Sequence, residues 1–84
     1  MVLKSSLELT KHQLATRFHI SLRTVYRTLK LAGLSVHKST YNEAEQFLFQ
    51  LTRSLIEGGF SKEQITHLLD RYKSQKNVTQ VEQP

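Results

Sequence analysis

Residues that interrupt helices are scarce in this chain of 84 residues. Its one proline is Pro84, and its three glycines are Gly33, Gly58 and Gly59. Between these positions apolar residues recur at intervals of three and four, which is the period of an amphipathic helix. Glycine just past such a segment is a common residue at which a helix ends. The sequence therefore predicts an all-α fold.

Helix start signals divide the chain into four segments. A Ser, Thr or Asn side chain can accept the backbone amide two or three residues later, and a Glu or Gln there can bond back to form a capping box. The starts are Thr10 with Gln13, Ser21 with Arg23 or Thr24, either Thr40 with Glu43 or Asn42 with Glu45, and Ser61 with Gln64. The predicted helices are residues 11–18, 21–32, 43–57 and 62–74.

Each predicted helix carries an apolar stripe that we expect to be its buried face. The stripes are Leu14, Ala15 and Phe18; Leu22, Val25, Leu29 and Ala32; Ala44, Phe47, Leu48, Leu51 and Leu55, widened by Phe49 and Ile56; and Ile65, Leu68, Leu69 and Tyr72. A chain of this length supports one compact core. We expect one domain over residues 1–74 and a flexible tail over residues 75–84.

Residues 34–41 differ from the helical segments. Their composition is compatible either with short extended pieces that form a rudimentary wing or with a plain loop. His37 and Lys38 would lie at its tip. The predicted architecture is therefore a small four-helix domain of winged or near-winged helix-turn-helix type.

The net charge of +5 is concentrated in the first half of the chain. Residues 1–41 hold seven Lys and Arg against one acid, a net +6, whereas residues 42–84 hold five against six, a net −1. A basic half beside a nearly neutral half is the pattern of a surface that meets a polyanion. A solvated basic face that binds nothing is the alternative.

Several function classes find no support in the composition. The chain has no cysteine, which excludes disulfides, cysteine-ligated zinc and thiol catalysis and favours a reducing compartment. Its histidines, at positions 12, 19, 37 and 67, lack the spacing of a metal site, and no phosphate loop or nucleophile motif is present. We expect no enzyme activity, no cofactor, no metal and no membrane segment, and a cytoplasmic, nucleoid-associated location.

The first two predicted helices form a recognisable unit. The connection between them is only His19, Ile20 and the capping residue Ser21, and the second helix carries basic and hydroxyl side chains opposite its apolar stripe. This pattern predicts a helix-turn-helix, whose second helix enters the major groove of double-stranded DNA. Ser21, Arg23 and Thr24 would then reach base edges, and arginine can bond guanine in bidentate fashion.

Six further residues are predicted to position the protein on the DNA more than to specify sequence. They are Lys11, Tyr26, Arg27, Lys30, His37 and Lys38. The three on the second helix would contact phosphates or flanking bases, the one on the first helix a phosphate, and the two at the loop tip a neighbouring minor groove or the backbone. For the cations of the second helix the alternative is an ordinary solvated face. For Tyr26 the alternative is partial burial against the third helix.

Residues 11–29, KHQLATRFHISLRTVYRTL, resemble the helix-turn-helix of Hin-type recombinases and of many regulators. The matching places are the alanine, isoleucine and valine or leucine positions and the Tyr-Arg pair. One departure is His19, which stands where such motifs usually have glycine in a left-handed turn. Histidine tolerates that conformation better than most residues.

Residues 41–65 resemble the region after the wing in MerR-like regulators. The matching features are Tyr41, the spaced apolar helix and the sequence Gly-Phe-Ser-x-x-x-Ile from Gly59 to Ile65. The wing segment is much shorter here, the recognition helix is a residue longer, and the long dimerisation helix and the effector-binding part are missing. The resemblance implies a MerR-like, excisionase-like DNA-binding head without a small-molecule effector.

Three functions follow as hypotheses. The first is sequence-specific binding of double-stranded DNA as a transcriptional regulator, with a homodimer or cooperative assembly on the DNA. The second is an accessory or DNA-binding factor in recombination or transposition. The third is a protein-interaction module in which Phe49, Ile56 or a face of the fourth helix docks a partner without DNA.

Overall fold

A computed structural model describes residues 8–82 of the chain, with side chains described for residues 8–74. Four helices are present: α1 (Lys11–Phe18), α2 (Leu22–Ala32), α3 (Glu43–Glu57) and α4 (Lys62–Glu82). Over residues 8–82 there is no strand, and one isolated antiparallel bridge joins Leu9 to Tyr41. The all-α prediction is confirmed.

The helix starts follow the predicted capping signals. At each start a side-chain oxygen accepts the backbone N–H three residues later, as predicted for Thr10–Gln13, Ser21–Thr24, Asn42–Glu45 and Ser61–Gln64. In all but the Ser21 start, the Glu or Gln side chain also accepts the N–H of the capping residue. Of the two alternatives for α3, the structure has Asn42 with Glu45. These local bonds satisfy amides that the first helical turn cannot pair.

Helices α1, α2 and α3 end in the same way. A residue in the left-handed region follows each one: His19 with φ 58°, Gly33 with φ 79° and Gly59 with φ 90°. Its N–H bonds to the carbonyl three residues back, and the next N–H bonds to the carbonyl five residues back. This is the Schellman motif. His19 is the one residue other than glycine with positive φ in the described chain. A histidine therefore occupies the left-handed position at which such motifs usually have glycine.

The core lies around α2, which packs against each of the other three helices. Its main cluster consists of the fully buried residues Leu14, Val25, Leu29, Tyr41 and Phe49. Complete burial of side chains of this size stabilises the fold by about 1.5–3 kcal/mol each. The Tyr41 hydroxyl donates to the Ser35 carbonyl at 2.6 Å, so its polar end is satisfied inside the core.

A second buried layer joins α2 and α3 to α4. It contains Ala32, Ile65 and Leu69 together with two threonines, Thr28 and Thr52. Both hydroxyls donate to the carbonyl one turn earlier on their own helix, at 2.7 and 2.8 Å. Because these bonds are internal to each helix, the threonines occupy core positions without an unpaired polar group.

The predicted buried face of α3 was wrong for two of its residues, Ala44 and Phe47, and it missed Thr52. Phe49 and Thr52 are buried, whereas Phe47 is 49 % exposed and Ala44 is exposed. Phe47 instead contacts Tyr72 of α4, with ring centroids 5.9 Å apart. The hydropathy pattern excluded Thr52 because threonine is polar, but its hydroxyl is satisfied by its own helix, so packing against α2 selects that face.

The stripe of α4 is correct for Ile65 and Leu69, which are buried, but Leu68 is 37 % exposed. The helix also continues to Glu82, past the end predicted at residue 74. No glycine or proline occurs in residues 75–82, so no residue there breaks the helix. The flexibility of residues 75–84 stays a prediction, and residues 83–84 lie outside the described chain.

The expected wing is a plain loop. Residues 34–41 contain no strand, and the bridge to Leu9 consists of two hydrogen bonds with Tyr41, at 2.8 and 3.0 Å. The segment turns back over the body of the protein, because Leu34, Val36 and Tyr41 pack into the main cluster. Anchoring at three apolar positions leaves too little chain for a hairpin, and the loop alternative holds.

Candidate nucleic-acid interface

The outer face of α2 carries a continuous row of accessible side chains. Arg23, Tyr26, Arg27 and Lys30 are all exposed and recur at intervals of three and four, so they share one side of the helix. The opposite side, with Val25, is core. Tyr26 is 42 % exposed, so its ring is partly covered and partly accessible, and the ring contact described for it is with Lys11 of α1. This row is called the α2 face below.

The cations of the α2 face have no acidic partner among the side chains of residues 8–74. Two ion pairs occur within residues 8–74, Lys38–Glu45 and Arg53–Glu57, and neither involves Arg23, Arg27 or Lys30. The first turn of α2 also contains no acid. Among residues 8–74 no carboxylate lies within ion-pair distance of these three cations, and such a surface attracts a polyanion.

The two hydroxyls at the start of α2 are used within the protein. The Ser21 Oγ accepts the Thr24 N–H at 3.2 Å and lies 3.1 Å from the Thr24 Oγ1. One of the two hydroxyl protons is thus engaged, which leaves one for another acceptor. Thr24 is also half-buried, whereas Ser21 and Arg23 are exposed, and of these two Arg23 has the longer side chain and no described partner within the protein.

Lys11 connects three parts of the structure. Its Nζ donates to the Lys38 carbonyl at 2.6 Å and lies 5.7 Å from the Tyr26 ring centroid and 5.6 Å from that of Tyr41. These contacts are within the range of cation–π attraction. The half-buried Lys11 therefore holds α1, α2 and the loop together at one edge of the α2 face, a role that its sequence position did not indicate.

Lys38 is paired rather than free at the loop. Its Nζ bonds the Glu45 carboxylate at 2.7 Å and lies 5.8 Å from the Tyr41 ring centroid. A phosphate would have to compete with Glu45 for this ammonium group. His37 next to it is exposed, and its backbone N–H donates to the Ser35 Oγ at 3.1 Å.

The Glu45 carboxylate is held in its charged form. Burial by itself raises its pKa, but the hydrogen bonds from Lys38 and from the Asn42 N–H, together with the charge of Lys38, lower it. The net pKa lies below the ordinary value of 4.5. The Glu45 carboxylate is therefore charged at neutral pH, and its bond with Lys38 keeps the loop against the start of α3.

Cations from the second half of the chain lie beside the α2 face, and the charge count by halves did not indicate them. Lys62, Lys73 and Arg53 line a groove between α2 and α4, and Arg27 and Lys30 line the same groove. The α4 cations come from a segment that is nearly neutral in sequence. Only the packing of α4 against α2 brings them to this position.

Three other properties of the described chain bear on function. Residues 8–74 contain no group of three or more His, Cys, Asp or Glu side chains arranged to hold a metal ion. None of the four helices combines the length and the apolar character needed to cross a bilayer. Phe49 is completely buried, so it cannot be the docking residue of an interaction module.

Comparison of the chain with protein-family models, with curated proteins and with solved structures finds no match.

Proposed function

We propose that this chain binds double-stranded DNA in a sequence-specific manner, with α1 and α2 forming a helix-turn-helix and α2 lying in the major groove. The observation that carries the proposal is the α2 face. Its cations form a row without acidic partners among the described side chains, on a helix whose opposite side is core. The fold would then be a near-winged, MerR-like head in which a loop replaces the wing.

The dimensions of α2 suit this role. With 11 residues it is about 16 Å long, and a helix of ordinary diameter fits a major groove about 12 Å wide. Arg23 is exposed in the first turn of α2, directly after the three-residue connection from α1. Arg23 is therefore the residue assigned to base recognition, through a bidentate contact to guanine.

Arg27 and Lys30 are assigned to phosphates, one and two turns further along the helix. Tyr26 can donate its hydroxyl to the opposite strand while Lys11 supports its ring. Contacts of this kind set the register of the protein on DNA and make binding strongly dependent on salt. Ser21 and Thr24 can supply one further donor between them, whereas Lys38 would first have to leave Glu45.

Regulation of transcription is the process that such a head serves most directly, and accessory roles in recombination use the same contact surface. A single small head makes few contacts, so paired or cooperative heads on DNA are part of the proposal. Selecting preferred sites from random duplexes would show this, since a palindromic site with half-sites about one helical turn apart implies a pair.

The test is a titration of labelled duplex, carrying the selected site, by fluorescence anisotropy at several salt concentrations. Each phosphate contact should contribute about −0.9 to the slope of log affinity against log salt. Arg23→Ala should weaken binding by about 1–3 kcal/mol and relax one base preference. Lys30→Ala should weaken binding to all sequences by the same factor and should make the salt slope shallower by about 0.9, the value for one phosphate contact.

The matched control is Arg71→Ala, which removes the same charge from an exposed position on α4 outside the α2 face. Its affinity and slope should equal those of the unmodified chain. Absence of binding at low salt would refute the proposal. An unchanged preferred site in Arg23→Ala would show that α2 is oriented differently on DNA.

A further inference from the structure

The groove between α2 and α4 has the size and lining of a ligand site. Its volume is about 750 Å³, inside the range of about 300–1,000 Å³ that small-molecule sites occupy. Its apolar lining consists of Leu31, Ala32, Ile56, Phe60, Ile65 and Leu69. Of these, Phe60 is 43 % exposed, so part of the apolar surface of the groove faces solvent.

The charged lining of the groove is almost entirely cationic. Five cations line it, from α2, α3 and α4, against the single acid Asp70. They are Arg27, Lys30, Arg53, Lys62 and Lys73. The excess of positive charge around an apolar surface is complementary to a molecule that has an anionic group on an apolar body.

Arg53 is a largely buried cation of the groove, and its contacts with acceptors are long. Its side chain is only 14 % exposed. Its guanidinium lies 3.5 Å from the Thr28 Oγ1 and 3.4 Å from a Glu57 oxygen, and its buried Nε has no hydrogen-bond partner within the described chain. Charge-assisted bonds of this type are usually about 2.7–2.9 Å long. A largely desolvated guanidinium with only long contacts would gain from a further anionic oxygen.

We propose that the groove binds a small organic carboxylate with an aromatic or aliphatic body. The carboxylate would be held between Arg53 and the neighbouring lysines, and the body would cover Ile56 and Phe60, which have accessible surface in the groove. The resemblance to MerR-like heads implied no small-molecule effector, since the effector-binding part is missing. The groove itself could not be predicted from the sequence, because its cations are far apart in the chain and meet only in the folded protein.

The site has a consequence for regulation, which rests on the proposed function. Arg27 and Lys30 belong both to the groove and to the α2 face, so a bound anion would neutralise charge that DNA needs. Coupling between two ligands is reciprocal, so bound DNA would lower the affinity for the anion by the same factor as the anion lowers the affinity for DNA. The carboxylate would therefore act as a releasing ligand.

The first experiment is carried out without DNA, so that its failure is distinct from failure of the proposed function. The full chain labelled with ¹⁵N is titrated with naphthalene-2-carboxylate and, separately, with the neutral 2-naphthalenemethanol. We expect amide shifts centred on the facing parts of α2 and α4, and affinity about tenfold lower for the alcohol, since it lacks the charge-assisted bonds. Equal affinity, or shifts centred elsewhere, would overturn the proposal.

Variants locate the anionic subsite. Arg53→Met keeps the apolar stem, and Lys62→Gln changes an exposed residue, so at least the second variant should keep the fold. Each variant should lower the affinity for the carboxylate severalfold and leave the affinity for the alcohol unchanged. Arg71→Gln, on α4 like Lys62, should change neither affinity. Normal carboxylate binding by a folded Lys62→Gln and a folded Arg53→Met would contradict the site. Binding of an acidic peptide but not of the carboxylate would equally contradict it.

The second experiment adds the duplex at constant ionic strength. Saturating naphthalene-2-carboxylate should weaken DNA binding severalfold, and the alcohol should not. If the carboxylate binds the groove but DNA affinity is unchanged, the ligand site stands and its regulatory role is refuted.

Discussion

Replacing His19 by glycine should stabilise the protein. His19 ends α1 with φ 58° and ψ 46°, the left-handed conformation that the two corresponding glycines adopt after α2 and α3. The motif needs only backbone groups, since the His19 N–H bonds to Thr16 and the Ile20 N–H bonds to Ala15. The imidazole is exposed and makes no described hydrogen bond. Glycine would keep the turn and remove the clash of Cβ.

The magnitude follows from two opposing contributions. The left-handed conformation costs a residue with Cβ about 1–2 kcal/mol. Glycine loses more conformational entropy on folding, which costs about 0.5–1 kcal/mol. The free energy of unfolding of His19→Gly should therefore rise by about 0.5–1 kcal/mol, and for a domain of this size the melting temperature should rise by roughly 2–8 °C.

The measurement is urea unfolding followed by circular dichroism, with a thermal melt as a second reading. Gly33→Ala is the matched control with the opposite sign. It places a Cβ at φ 79° after α2, 2.9 Å from the Lys73 ammonium, and should lower the free energy of unfolding by about 1 kcal/mol. The urea dependence should not change in either variant, because the surface exposed on unfolding is the same.

A decrease in the stability of His19→Gly would refute the reasoning. It would mean that the imidazole makes a stabilising contact or that the turn is not left-handed in solution. If instead both variants behave as expected, the turn between α1 and α2 is a strained but local feature. Relieving it should leave DNA affinity unchanged, because no residue of the α2 face is altered.

Two other predictions test the core and the loop. Leu29→Ala removes a fully buried side chain and should lower the free energy of unfolding, measured in urea, by about 2–5 kcal/mol. The control is Leu68→Ala, at a position 37 % exposed, which should lower it by less than about 1 kcal/mol. Equal losses in the two variants would contradict the assigned core. The Lys38–Glu45 pair should make stability depend on pH. The pKa of Glu45 is lower in the folded protein than its ordinary value of 4.5. Its contribution to the free energy of unfolding is therefore present above about pH 4.5 and is lost as the pH falls through the folded pKa. Glu45→Gln keeps an acceptor for the Asn42 N–H, so its stability relative to the unmodified chain should be lower at neutral pH and should converge with it in acid; a constant difference would show that the pair contributes nothing.

Local hydrogen bonding explains why the boundaries of the first three helices could be predicted. A capping side chain such as Thr10 bonds to an amide only three residues away, and Gly33 adopts its left-handed conformation whatever the rest of the chain does. Both signals act within one turn of helix. The C-terminus of α4 was predicted less well because residues 75–82 carry no such signal, and polarity alone does not end a helix.

The α2 face could likewise be predicted from periodicity. Arg23, Arg27 and Lys30 share one side of any helix that spans them, and the apolar stripe at Val25 and Leu29 indicates which side is buried. Recognition of the face required only a correct helix assignment. Its freedom from acidic partners, by contrast, depends on where the acids of α3 and α4 lie in space.

By itself, then, the sequence determined the helical class, the starts of the helices and the residues on the outer side of α2, since each depends on neighbours within a few positions. The tertiary structure alone decided that Thr52 is buried and Phe47 exposed, that Lys11 joins α1 to the loop, and that Lys62 and Arg53 reach the groove beside α2. These outcomes depend on packing between segments tens of residues apart. Hydropathy and charge of single residues do not encode which helix faces meet.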